Sequence, residues 1–186
     1  NAELESSKLH VARVIEKTVQ RKARAPFITS TIQQAASSVC GFSPARTMRI
    51  AQGLYENGLI TYMRTDSFNI AKSAQEECYA FVTNSYGAEY LPEKPNFYKS
   101  KGSAQEAHEA IRPSYMDNKT AHGSYQEQRL YELIWKRTLA SQMADAEIEK
   151  TNIIIHCSSC SQKFVASGEQ VKFVGFLKVY FVSTDD

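Results

Sequence analysis

The strongest constraint on the fold of this chain is a change of periodicity along it. Leu9 to Val19 alternates apolar and polar residues, as a half-buried strand does, and a basic run, QRKARA, follows. From Lys150 onward TNIIIHC, QKFVAS, QVKFVGF and LKVYFV read as β-rich stretches separated by short turns. Pro26 marks the change of character, and from Phe27 the pattern is helical. The expected fold class is α+β. A mainly helical domain over 27–146 is inserted between the strands of a small, partial β domain made from 1–26 and 147–186.

Within the helical block, Thr29 or Ser30 is placed to cap a helix over Ile32, Ala35, Ala36 and Val39 that stops near Gly41. Ser43-Pro44 announces a second helix, with a hydroxyl at the N-cap and a proline at the first helical position. It runs through Met48, Ala51, Leu54 and Tyr55 to a C-terminal glycine, Gly58. GLITYMRTDS, Gly58 to Ser67, then reads as a strand. Two short helices, a tight turn and a strand outline a helix-turn-helix with a wing. A further helix is expected from Ile70 to Tyr86, then an exposed irregular loop, LPEKPNFY. SAQEAHEAI reads as helix ended by Pro113. A long amphipathic helix over Ser124 to Met143 carries Leu130, Leu133, Ile134, Trp135 and Leu139 as a core stripe.

The formal net charge of +2 is too small to announce nucleic-acid binding, so any basic surface must come from placement. No apolar run approaches the roughly 20 residues a membrane helix needs, and the start lacks a signal-peptide layout. No membrane partner is expected, and cytoplasmic, nucleoid-associated residence is the simplest reading. The chain lacks an initiator methionine and reads as a piece of a larger protein. Of four cysteines, only Cys157 and Cys160 share a motif, CSSC. One CxxC supplies half of a closed zinc site, and His156 beside it points to the opposite face of a strand. Incidental reduced thiols are the simpler reading, with a zinc module as the alternative.

Tyr62 and Arg64 sit two apart at the centre of GLITYMRTDS. On a strand they project to one face, a phenol beside a guanidinium. That pairing suits a tyrosine oxygen attacking a phosphodiester whose oxygens an arginine fork holds. Phenols ionise near pH ~10 and are weak nucleophiles at neutral pH, and a neighbouring cation favours the phenolate. From these two residues alone a half-buried tyrosine beside a surface arginine is the commoner arrangement.

Three segments in this order change that weighting: PFITSTIQQAAS (Pro26 to Ser37), GLITYMRTDS, and SAQEAHEAIRPS (Ser103 to Ser114). Together they resemble the type IA DNA topoisomerases, in particular the bacterial topoisomerase I family, over about Ala25 to Met143. The resemblance implies Tyr62 as nucleophile, forming a 5′-phosphotyrosine link and freeing a 3′ hydroxyl. It implies Arg64 as the group positioning the scissile phosphate, and His108 as a histidine contacting DNA near it. Tyr55 matches a family aromatic beside the site. Thr61, Thr65, Asp66 and Ser67 are expected to shape the DNA-strand groove, with Arg112 four residues from His108 on one helical face.

The family works with magnesium, whose acidic site lies outside this chain; no DxD run or tight carboxylate cluster stands here. The expected partners are single-stranded DNA and the remaining domains of the parent protein, and the chain alone is expected to be inactive. The competing reading is a non-enzymatic winged-helix DNA-binding module using Arg46, Arg49 and Arg64 as phosphate contacts.

Overall fold

The computed structural model describes residues 8–99, 108–158 and 161–181. The chain divides into two compact units, Asn1–Lys22 with Asp145–Gly175, and Ala23–Ala144 with Phe176–Asp186. The first is a three-stranded antiparallel sheet in the order β1 (Leu9–Arg21), β2 (Ala146–Cys157), β3 (Lys163–Phe173). β1 and β2 pair from Leu9 opposite Cys157 to Arg21 opposite Ala146, with an irregularity between Val11 and Arg13. Charged cross-strand pairs line the paired strands: Lys150 lies opposite Glu169 and bonds it at 2.8 Å, and Lys172 reaches Glu149 at 2.9 Å. The Lys150 hydrogen bond and charge hold the Glu169 carboxyl below its ordinary range.

QKFVAS and QVKFVGF, expected as separate strands, form the single strand β3. LKVYFV is not a strand. Gly175, at φ +50°, turns the chain out of the extended run, and the Phe176 N–H bonds the Ala144 carbonyl at 2.9 Å. A 3₁₀ turn over Gly175–Leu177 and a short helix over Lys178–Phe181 follow, burying Phe176 and Val179 in the helical unit.

The second unit holds α1 (Thr29–Cys40), α2 (Pro44–Glu56), α3 (Lys72–Ser85), α4 (Tyr125–Ser141) and the short α5 (Lys178–Phe181). Gly41 at φ +69° ends α1, a conformation a Cβ opposes. Ser43 caps α2 by accepting the Arg46 N–H at 3.3 Å, with Pro44 at the first position. The buried face of α2 is Thr47, Ile50, Ala51 and Leu54. α4 opens on a capping box: the Ser124 N–H bonds Glu127 Oε2 at 2.8 Å, and the Glu127 N–H bonds Ser124 Oγ at 3.3 Å. Its stripe is core: Leu130, Ile134, Trp135 and Leu139 are buried, and the Trp135 indole donates to the Met116 carbonyl at 2.9 Å. The LPEKPNFY loop is irregular but tied down. Asn96 donates to the Ser141 and Met143 carbonyls at 3.0 and 2.8 Å. Among the described residues no helix is long and apolar enough to cross a membrane.

Two expectations fail here. GLITYMRTDS is not a strand, and residues 108–111 are not helix; their backbone makes only isolated bridges, Ile60 to Pro113 and Phe27 to Ile111. Pro113 disfavours helix at the residue before it, and the Ile60 bridge is not prolonged because the Arg112 N–H goes to the Thr61 hydroxyl and the Leu59 N–H to the Leu54 carbonyl. The neighbouring N–H groups go sideways instead: Ala110 to the Asn69 carbonyl at 2.7 Å and Ile111 to the Phe27 carbonyl at 2.8 Å. The earlier part of SAQEAHEAI, through Ala107, lies outside the described residues, as does Cys160.

Burial lifts the Cys78 thiol from its ordinary value of 9.0 to about 12. At pH 8 Cys78 is therefore expected to resist alkylation in the folded chain and to label on unfolding, as site-resolved mass spectrometry can read. The unfolded chain loses this proton before the folded chain does. Stability should therefore fall as pH rises past the ordinary thiol value of 9.0. Rapid labelling of Cys78 in the folded chain would contradict this.

Candidate active site

The residues expected at the DNA site, Tyr55 to Ser67 with His108 and Arg112, lie in the helical unit. The loop from Ile60 to Ser67 leaves the end of α2 through Gly58, whose φ of +69° favours glycine. Burial alternates along it: Met63 is 1% exposed, while Tyr62 on one side is 50% exposed and Arg64 on the other is exposed. The alternation expected of a strand is thus kept without a ladder, because Met63 anchors the loop in the core.

The loop is held by side-chain hydroxyls. Thr61 Oγ1 donates to the Ala110 carbonyl at 2.7 Å and accepts the Arg112 N–H at 3.0 Å. The Thr61 N–H bonds the Arg112 carbonyl at 2.9 Å. At the other end Thr29, the first residue of α1, donates its hydroxyl to the Met63 carbonyl at 2.8 Å, with the Thr65 carbonyl 3.1 Å away. The same oxygen accepts the Thr65 N–H at 2.9 Å, and the Thr29 N–H reaches the Thr65 carbonyl at 3.0 Å. Thr29 is not the cap its position promised. Ile28 holds the N-cap position, and the Thr31 hydroxyl takes the Ile28 N–H at 3.0 Å.

Tyr62 packs its ring edge-on to Tyr55, with centroids 5.2 Å apart at 65°. Both rings are partly exposed, Tyr55 at 40%. Arg64, Thr65, Asp66 and His108 line an open groove of about 480 Å³ together with Ile28, Thr29, Ser30 and Gln33. The first turn of α1 forms one wall of that groove. It carries no acidic residue, and the helix's positive end lies there. Among the described residues no hydrogen bond or ion pair holds the Arg64 guanidinium, the Asp66 carboxylate or the His108 imidazole. The structure therefore gathers Arg64, Asp66 and His108 at one groove, while Tyr62 stands beside Tyr55 and does not line it.

Other sequence candidates are spent inside the fold. Ser67 is buried, its hydroxyl accepting the Asn69 N–H at 3.2 Å, and the Thr65 hydroxyl accepts the Ser67 N–H at 3.1 Å. Arg112 does not share a helical face with His108. Its guanidinium forks onto Glu109 at 3.2 and 2.8 Å and donates to the Pro113 carbonyl at 2.9 Å. Glu109 also takes the Ala71 N–H at 2.6 Å, at the entry to α3. Sequence reasoning missed both Glu109 and Thr29 as organisers of the site. The visible signal was their place inside the two flanking signatures, Glu109 directly after His108. Among the described residues no group of three or more His, Cys, Asp or Glu side chains is placed to hold a metal ion.

A family model described as DNA topoisomerase matches residues 1–186. The chain is 46% identical over 187 residues to DNA topoisomerase 1 of Zymomonas mobilis, covering all of this chain and 15% of that protein. It is 47% identical over 192 residues to DNA topoisomerase 1 of Streptomyces coelicolor, covering all of this chain and 20% of that protein. Full-length topoisomerase I from Thermotoga maritima superposes with a TM-score of 0.83 at 34% identity, covering 98% of this chain and 31% of that one. The chain belongs to the DNA topoisomerase family, and it spans a fifth or less of the length of these two curated relatives.

Glu109 joins three backbone or side-chain donors at a partly buried position, and charged hydrogen bonds of this kind contribute about 1.5–3 kcal/mol each. Glu109→Gln is expected to destabilise the chain by about 1–3 kcal/mol in a urea titration. A change within about 0.3 kcal/mol would show that the fork onto Arg112 is dispensable.

Proposed function

We propose that this chain carries the strand-cleaving residues of a type IA topoisomerase, within a parent protein that relaxes negatively supercoiled DNA by single-strand passage. The observation that carries the reading is the loop of Tyr62 and Arg64. It presents an exposed phenol, and a guanidinium that no side chain holds among the described residues, on a backbone clamped at both ends, with His108 brought to the same groove as Arg64. The α1–α2 hairpin with its bridged return is the winged-helix-like element that displays them.

In the proposed step Tyr62 Oη forms a bond to phosphorus and the P–O3′ bond breaks. The phosphate stays on the tyrosine as a 5′-phosphotyrosine. The phenolic proton is balanced by the proton on the released 3′ hydroxyl. Attack by that hydroxyl reverses the step, so religation needs no ATP. Arg64 supplies a planar fork for the non-bridging oxygens and favours the charge that builds on them. His108 and the first turn of α1 complete an anion-binding wall. Asp66 lines the groove, and Tyr55 braces the Tyr62 ring.

Magnesium is proposed to act in the parent protein. Among the described residues no group of three or more His, Cys, Asp or Glu side chains is placed to hold it. Single-stranded DNA and the remaining domains of the parent are the proposed partners, with the cytoplasm as the compartment.

In the full-length protein, Tyr62→Phe is expected to abolish covalent trapping of a labelled single-stranded oligonucleotide. Its Kd for the uncleaved strand should stay within about threefold, since one hydroxyl is removed from the reacting group alone. The isolated chain is expected to bind single-stranded DNA weakly, with affinity falling as salt rises, and to relax no supercoils. A covalent adduct formed by Tyr62→Phe, or robust relaxation by the isolated chain, would refute this assignment.

A further inference from the structure

We propose that Thr29 is a positioning residue for strand cleavage: its hydroxyl fixes the two peptide groups that flank Arg64 and so sets where the guanidinium reaches. This rests on the reading of Tyr62 and Arg64 given above and deepens it. The carbonyl of Met63 belongs to the peptide entering Arg64, and the N–H of Thr65 belongs to the peptide leaving it. Thr29 Oγ1 donates to the first at 2.8 Å and accepts from the second at 2.9 Å. One hydroxyl oxygen does both, which requires a side chain that is donor and acceptor at once.

The position of Thr29 makes this more than a helix-end contact. The N-cap place belongs to Ile28, and the Thr29 hydroxyl spends its bonds on the distant loop, not on the backbone of α1. The backbone N–H of Thr29 adds a third bond, to the Thr65 carbonyl at 3.0 Å. Threonine also has few side-chain rotamers, so the oxygen is held in place by its own β-branch.

Arg64 needs such a tether. Among the described residues no side chain holds its guanidinium, so its aim depends on how its own backbone is set. The opposite end of the loop is fixed next to Tyr62 by Thr61, through bonds to Ala110 and Arg112. Nucleophile and phosphate-holding arginine thus hang between two threonine clamps, and Thr29 is the one beside the arginine. Thr29 and Arg64 also line the same groove, so the clamp couples the loop directly to the first turn of α1.

The test uses the full-length protein and single-turnover formation of the covalent adduct on a labelled single-stranded oligonucleotide. Thr29→Val keeps the shape and removes both hydrogen bonds, whereas Thr29→Ser keeps them. Small misplacements of a reacting group cost on the order of 10²-fold in rate. Thr29→Val is expected to slow adduct formation by about 10–100-fold while its Kd for the uncleaved strand stays within about threefold. Thr29→Ser is expected to stay within about threefold of the parent rate. If Thr29 acts through Arg64, then in an Arg64→Ala background Thr29→Val should cost less than about twofold more.

Three results would overturn the proposal. Thr29→Val could cleave within about twofold of the parent protein. It could lose its cooperative melt, or lose affinity and rate in parallel, making the contact a structural one. Its cost could multiply in full with that of Arg64→Ala. A parent protein that forms no adduct on Tyr62 would instead sink the proposed function itself.

Discussion

The organising constraint is how the backbone of residues 60–67 is satisfied. A segment this close to the core must pair its N–H and C=O groups, and a ladder would be the ordinary solution. Here pairing with residues 112–114 stops at a single bridge, because the Arg112 N–H goes to the Thr61 hydroxyl and the Leu59 N–H to the Leu54 carbonyl, and two threonine hydroxyls do the pairing instead. Thr61 ties the start of the loop to residues 110–112, and Thr29 ties its middle to the first turn of α1. Met63, sealed in the core between them, leaves Tyr62 and Arg64 outside. The exposed chemistry is a by-product of a tightly held backbone.

This arrangement also draws the three sequence signatures into one place. PFITSTIQQAAS supplies Thr29, and Phe27 bridges Ile111. GLITYMRTDS supplies the loop. The visible part of the third signature supplies His108, and Glu109 locks Arg112 and the entry to α3. Three stretches far apart in sequence are adjacent because each satisfies polar groups of the others. Such mutual dependence makes a local change in one stretch felt at the others.

Much of this was legible in sequence, for definite reasons. Ser43-Pro44 and Gly58 are local signals whose mechanism acts within a few residues, and α2 starts and ends where those signals stand. The alternation of Leu9 to Val19 reports a real strand. What failed was non-local. The loop at Tyr62 looks like a strand because its exposure alternates, yet the bonds that would make it one are diverted, the Arg112 N–H to the Thr61 hydroxyl and the Leu59 N–H to the Leu54 carbonyl. LKVYFV has strand composition, but Gly175 turns it out and its apolar side chains pack in the helical unit. The pairing of His108 with Arg112 assumed a helix that lateral hydrogen bonds displace. Tyr62 and Arg64 stand only two apart in sequence, but Tyr55 braces the first while the groove takes the second.

The central claim is that this loop delivers the Tyr62 oxygen, and no other, to a phosphodiester. Its most direct test is to trap the full-length protein on single-stranded DNA, digest with trypsin and sequence the DNA-bound peptide by tandem mass spectrometry. Cleavage after Arg49 and Arg64 releases one peptide holding both Tyr55 and Tyr62, so fragment ions separate the two rings that touch in the structure. The account predicts a 5′-phosphate mass on Tyr62 alone. A nucleotide mass on Tyr55, or on a residue outside this peptide, would contradict it.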